Sequence, residues 1–204
     1  MSDGPARVVV ATGNAHKLAE IQAILRDAGL DVELVPMTEL GVPSPVEDGD
    51  TFEANALIKA RACVTATGLP AIADDSGLEV DVLGGEPGVR SARYAGEPAD
   101  DDRNNAKLVA ALAEVPLEQR TARFVCAAAA VTPDGREEVV RGTMEGYIVD
   151  EPRGEHGFGY DPHFVSQQAD GRTNGELPPA EKDAISHRGV AFRALVERLG
   201  SLLS

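Results

Sequence analysis

Tryptophan is absent from this 204-residue chain, and five phenylalanines and three tyrosines make up all of its aromatic content, 4%. A core must therefore be assembled from Val, Leu, Ile and Ala. Basic residues are also scarce, with 19 Lys and Arg against 34 Asp and Glu, for a formal charge of -15. That balance repels nucleic-acid backbones and anionic membrane surfaces, so neither is expected as a partner. It leaves room for a small phosphorylated ligand, because a few basic side chains can build a local positive pocket and a divalent ion can assist. Cysteine occurs twice, as Cys63 and Cys126, both in apolar surroundings. Buried thiols in a reducing compartment are expected rather than a disulfide. No apolar run approaches the ~20 residues that span a bilayer, and the start, Met1 to Arg7, lacks the apolar core of a secretory leader. The chain reads as cytoplasmic.

What is present is an ordinary globular composition, 43% hydrophobic, in a length that suits one good core or a domain of two lobes. Val8-Val9-Val10 reads as a buried strand that Thr12-Gly13-Asn14 breaks. Leu18, Ile21, Ile24 and Leu25 then recur with helical spacing from His16 to about Ala28, with Gly29 as the stop. Val32 to Val35 is a second strand. After a Pro/Gly loop, Thr51 caps a helix from Phe52 to about Thr67. Ala71 to Ala73 is a third strand, and Leu78 to Val82 is a short continuation. Residues 83–98 read as a long glycine-containing loop, a kind that more often than not carries a function. A helix follows from Asp100 to about Glu114. Thr121 to Val131 and Glu137 to Met144 form an antiparallel pair around the turn Pro133-Asp134-Gly135. The last helix runs from about Ser186 to Leu199. The pattern predicts an α/β fold with a long mixed β-sheet flanked by helices.

Three segments carry chemistry. Asp74-Asp75-Ser76-Gly77 delivers adjacent carboxylates from a short strand into a turn. Such a pair needs an offsetting cation, so it reads either as a seat for Mg2+ or as a solvated turn. Glu47, in the preceding Pro/Gly loop, can supply a further carboxylate from the same sheet edge, and one of these acids can instead act as a general base. Lys59 either reaches that site or lies on a solvated helix face. Thr12-Gly13-Asn14-Ala15-His16-Lys17 sits between strand and helix, where backbone N–H groups and a lysine favour an anion such as phosphate. It is neither a P-loop nor a dinucleotide fingerprint, and a capped loop with a surface lysine fits it equally well.

Gly157-Phe158-Gly159-Tyr160-Asp161-Pro162 offers aromatic faces for stacking on a base, or simply packs on the core. Glu181-Lys182-Asp183-Ala184-Ile185-Ser186-His187-Arg188-Gly189 places His187 and Arg188 in a first helical turn if Ser186 is the N-cap. Positive charge there opposes the helix dipole, which suggests an outside purpose such as contact with an anion or a base carbonyl.

Taken in order, these pieces resemble the HAM1/RdgB-like family of inosine/xanthosine triphosphate pyrophosphatases. The resemblance rests on Ala11-Thr12-Gly13-Asn14 with Lys17, Thr51-Phe52-Glu53 with Asn55-Ala56, and Ala73-Asp74-Asp75-Ser76-Gly77-Leu78. It continues through Pro87-Gly88 with Ser91-Ala92-Arg93-Tyr94, Gly157 to Pro162, and Ser186-His187-Arg188-Gly189, and so spans Val8 to Leu199. It implies one domain of two lobes with a central cleft, a homodimer, Mg2+ dependence, and hydrolysis of ITP, dITP and XTP to monophosphate and pyrophosphate. It implies Asp75 as proton acceptor and metal ligand, with Glu47 as the other metal-linked acid. Thr12, Gly13, Asn14, Ala15, His16 and Lys17 match the phosphate loop, and Ser76 a substrate contact. Phe158, Gly159, Tyr160, Asp161, Lys182, His187 and Arg188 match the remaining substrate-binding set. The rival readings are a Maf-type nucleotide pyrophosphatase, a Mg2+-dependent phosphomonoesterase and a non-hydrolysing nucleotide-binding regulator.

Overall fold

The structure, a computed structural model, describes residues 6–202. Residues 1–5, on which part of the leader reading falls, lie outside the described residues. No helix among the described residues is long and apolar enough to cross a membrane.

Strands β1 (Ala6–Val10), β2 (Val32–Pro36), β3 (Ala71–Val80), β4 (Thr121–Val131), β5 (Glu137–Ile148) and β6 (Phe164–Ser166) form one sheet in the order β2-β1-β3-β4-β5-β6. β1 runs parallel to β2 and β3, and β6 antiparallel to β5, so the sheet is mixed as expected. Helices α1 (Ala15–Asp27) and α2 (Phe52–Thr67) make the two parallel crossovers. α3 (Asp101–Ala111) precedes β4, and α4 (Pro179–Ile185) and α5 (His187–Leu202) close the chain. The chain divides into two compact units. The first holds residues up to Asp75, Cys126–Gly142, and those from Arg188 onward; the second holds Ser76–Val125 and Thr143–His187.

Strand alternation organises the first unit. Val8, Val10 and Ile72 belong to a buried cluster with Ile21, Ile24 and Leu25 of α1 and Phe192, Leu195 and Leu199 of α5. Val9, Ala11, Ala71 and Ala73 belong to another, with Ala60 and Cys63 of α2. The alanines of β4, including the buried Ala128 and Ala130, let the helices approach closely. In the second unit, Leu78 and Val80 pack with Leu108 and Leu112, Phe124, Phe164 and Tyr160.

Two expectations need correction. Asp74-Asp75-Ser76-Gly77 is not a turn: β3 runs unbroken through it for 10 residues. Leu78 and Val80 are both fully buried, and their burial outweighs the turn preference of Ser-Gly. Residues 83–98 are not simply a loop. Gly88–Arg93 forms a 3-10 helix, and Ser91 Oγ accepts the Leu78 N–H at 2.8 Å while donating to the Gly88 carbonyl at 2.6 Å. Ser186 stands in the expected N-cap position, directly before α5 begins at His187. It is an extended, fully buried residue that ends α4 before α5 begins.

Cys63 and Cys126 are both buried and form no disulfide. Burial pushes the Cys63 thiol up to about 11. Native protein is therefore expected to react slowly with a thiol reagent, and two thiols should label rapidly only in denaturant. Rapid labelling of both thiols under native conditions would contradict this packing.

Candidate active site

Because successive side chains of a strand point to opposite faces, Asp74 and Asp75 part company. Asp74 shares the face of Ile72, toward α1 and α5. Lys17 Nζ of α1 lies 3.2 Å from Asp74 Oδ2, and Arg188 Nη2 of α5 lies 2.9 Å from the same oxygen. Arg188 Nη1 also pairs with Glu20, one turn beyond Lys17 on α1. Burial disfavours the guanidinium charge, but Asp74 and Glu20 more than offset it and hold the pKa above its ordinary value. The positive charge in the first turn of α5 is thus balanced from inside the protein, by carboxylates that neighbour it only in the fold.

Asp75 shares the face of Ala71 and Ala73, toward α2. Lys59 Nζ donates to Asp75 Oδ1 at 2.9 Å and to Glu47 Oε2 at 2.8 Å. Asn55, one helical turn before Lys59, is buried and uses both ends of its amide. Nδ2 donates to Asp75 Oδ2 at 3.2 Å, and Oδ1 accepts the Gly49 N–H at 2.8 Å. Asn55 therefore ties the Glu47 loop to the Asp75 carboxylate. Burial raises the Asp75 pKa, and Lys59 and Lys17 offset only part of that rise. Lys59 is also raised: burial works against its charge, but Asp75, Asp74 and Glu47 outweigh it.

This donor set fits a divalent cation in an open site. Two carboxylate oxygens already converge on a single positive centre, and Mg2+ commonly takes one or two protein carboxylates plus waters and phosphate oxygens. It does not form a closed cage, since no group of three or more His, Cys, Asp or Glu suited to a metal occurs among the described residues.

The Thr12–Lys17 segment is a capped helix start. Asn14 Oδ1 accepts the N–H groups of His16 and Lys17, at 2.9 and 3.1 Å, and Thr12 Oγ1 accepts the Asn14 N–H at 3.1 Å. Gly13 and Ala15 N–H groups take part in none of these bonds. A Cβ at Gly13 would meet only Ser44 Oγ, at 3.7 Å, so internal packing does not demand glycine there.

In the second unit, Asp161 gathers the other expected residues. Asp161 Oδ2 accepts from Lys182 Nζ at 2.6 Å and from the Phe158 N–H at 2.9 Å, and Oδ1 accepts from Asn174 Nδ2 at 3.1 Å. The Lys182 ammonium lies 5.0 Å from the centroid of the Phe158 ring. Tyr160 is buried and donates its hydroxyl to the Ser91 carbonyl at 2.8 Å, so it packs in the core. His187 stacks on Phe124 with centroids 4.9 Å apart. Ser76 is half-buried on β3, where alternation gives it the face of Asp74.

A model of the Ham1 family matches residues 8–198. The chain belongs to the Ham1 family. Among its curated relatives, a dITP/XTP pyrophosphatase of Frankia alni is 55% identical, with 97% of this chain and 99% of the relative covered. A dITP/XTP pyrophosphatase of Streptomyces coelicolor is 51% identical, with 97% and 98% covered. Of the solved structures, a HAM1 protein from Coxiella burnetii superposes with a TM-score of 0.86 at 44% identity, covering 96% of this chain and 99% of that one. The nucleoside-triphosphatase / dITP/XTP pyrophosphatase from Mycobacterium abscessus gives 0.74 at 50% identity, with the same shares covered.

In this Ham1-family chain, no sequence motif gives a role to Glu20 or Asn55, and Lys59 fits either a site or a solvated helix face. The available signal was helical spacing. Glu20 follows Lys17 by three residues and Lys59 follows Asn55 by four, each pair sharing a helix face. Glu181 pairs with Arg172 at 2.9 Å. Removing the Arg188 guanidinium would leave Asp74 and Glu20 short of a buried partner. Arg188→Ala is expected to destabilise the fold by about 3–5 kcal/mol in urea denaturation. A loss under about 1 kcal/mol would show that the buried pair carries little.

Proposed function

We propose that this chain hydrolyses deaminated purine nucleoside triphosphates, ITP, dITP and XTP, to the monophosphate and pyrophosphate. The family and its closely similar dITP/XTP pyrophosphatases support the reaction. The carrying observation within the chain is the Asp75 carboxylate, buried and held by Lys59 and Asn55 beside Glu47.

Glu47 and Asp75 would hold Mg2+, which when bound neutralises charge developing on phosphate oxygens and lowers the pKa of a coordinated water. Lys17, whose side chain keeps 17% of its surface exposed, contacts the triphosphate together with the Gly13 and Ala15 N–H groups. Asn55 holds Asp75 Oδ2, and Asp75 accepts the proton of the attacking water. Its burial-raised basicity suits it to that task. The water oxygen bonds to the α-phosphorus, the bond from that phosphorus to the bridging oxygen breaks, and pyrophosphate carries the electron pair away. In the second unit, Phe158 offers a face to the base and Lys182 a donor to its 6-oxo group. Adenine has an amino group at that position, so Lys182 would lack its acceptor. The resemblance further supports a homodimer.

A nucleotide panel with product analysis tests the reaction. ITP, dITP and XTP should give monophosphate and pyrophosphate much faster than ATP or GTP. Equal turnover of ATP and ITP would sink the specificity claim, and release of orthophosphate would favour a phosphomonoesterase.

In the same assay, Asp75→Asn should lower kcat by about 100-fold or more while circular dichroism shows a folded protein. Glu47→Gln should raise the Mg2+ concentration needed for half-maximal rate. Full activity in excess chelator would refute the metal assignment.

Light scattering at micromolar concentration should give twice the chain mass. A monomer mass would reject the dimer.

A further inference from the structure

The turn that carries Phe158 is held by α3. α3 presents Asp101 and Asn105 on one face, one helical turn apart. Asp101 Oδ2 accepts the Gly159 N–H at 2.9 Å, and Asn105 Nδ2 donates to the Gly159 carbonyl at 2.9 Å. Both polar groups of one residue, Gly159, are thus taken by side chains of a single helix. The Phe158 N–H is taken separately by Asp161 Oδ2. Gly159 has φ +60 and nothing within 4 Å of where a Cβ would stand, so the turn is open on that side.

The orientation of Asn105 is fixed. Flipping its amide would set Oδ1 against the Gly159 carbonyl, acceptor against acceptor. Its Oδ1 is buried without a hydrogen-bond partner, so the amide gives up one satisfied acceptor to keep its donor on Gly159. α3 is itself anchored. Asn104 accepts the Ala95 N–H at 2.7 Å and donates to the Ala92 carbonyl at 3.0 Å, and Leu108 is fully buried. The clamp therefore reaches the turn from a rigid base.

We propose that Asp101 and Asn105 are positioning residues for base recognition. By gripping the two peptide units that meet at Gly159, they set the orientation in which the Phe158 ring receives a planar purine base. This rests on the proposed stacking role of Phe158. A loose turn would still sample the receptive orientation, but less often, so the defect should appear in apparent affinity rather than in chemistry.

The test is a double-mutant cycle on the full chain, with ITP as substrate. Asn105→Ala and Asp101→Ala should each raise KM about 3- to 10-fold, as loss of one hydrogen bond predicts, with kcat within about twofold. Phe158→Ala should raise KM further. Adding Asn105→Ala to Phe158→Ala should then change nothing more, because the group being positioned has gone. Unchanged KM in Asn105→Ala, additive effects in the double variant, or a fall in kcat alone would each overturn the proposal. If Asn105→Ala does not fold, the near-isosteric Asn105→Asp replaces it in the cycle, and failure of both to fold marks Asn105 as a folding residue and overturns the positioning role. Wild-type protein in the same assay keeps the two readings apart. No pyrophosphate from ITP would defeat the proposed activity, whereas turnover with an uncoupled Asn105 would defeat this inference alone.

Discussion

Two adjacent aspartates inside a buried strand are a severe electrostatic problem, because each charge is poorly solvated and each disfavours the other. β3 handles it through its pleat. Asp74 and Asp75 point to opposite faces of the sheet, and each face brings its own cation from a different helix. Asp74 meets Lys17 and Arg188, and Asp75 meets Lys59. The arrangement depends on α1, α2 and α5 all docking correctly on the sheet. The first unit therefore folds and assembles its charged residues by the same packing events.

The split also separates roles that a pair of carboxylates leaves ambiguous. Asp74 is 1% exposed and pairs with two cations, so it works as an internal anchor. Asp75 keeps a neighbouring carboxylate, Glu47, through their shared lysine. The pair proposed to hold a cation is thus Glu47 with Asp75, drawn from a loop and a strand. The partners of Asp74 divide in a similar way. The Arg188 side chain is 2% exposed and Lys17 17%, so Lys17 is the one that retains access to a soluble anion.

Much of this was legible in the sequence where periodicity was strong. The α1 and α2 helices, the Thr51 cap and β4 match the expected elements within a residue or two. The mixed sheet followed from an α/β start and the Pro133-Asp134-Gly135 hairpin. The misreadings share one cause. Asp74 to Gly77 carries turn-forming residues, yet Leu78 and Val80 are buried beyond them and the strand continues. Residues 83–98 lack periodicity, yet Ser91 and Asn104 hold them through side-chain bonds to backbone. In each case a tertiary contact overrode a local preference. The partners of Arg188 were beyond local reading altogether, since Asp74 and Glu20 lie 114 and 168 residues away in sequence.

The proposed role of Asp75 as a buried base brings a further constraint. Such a group must be basic enough to take a proton and still be ionised when it is needed. Burial alone drives its pKa up. A single close lysine in a dry site would drive it down and leave it inert. Here burial is the largest influence, Lys59 and Lys17 oppose it, and Glu47 adds to the rise. Lys59 can serve this balance because it is shared: Glu47 draws on the same ammonium and weakens its hold on Asp75. Asn55 holds the other oxygen with a neutral donor at 3.2 Å, which fixes the carboxylate in place without adding a second positive charge. An amide at residue 55 and an ammonium at residue 59 thus divide the work of orientation and charge, and neither can stand in for the other.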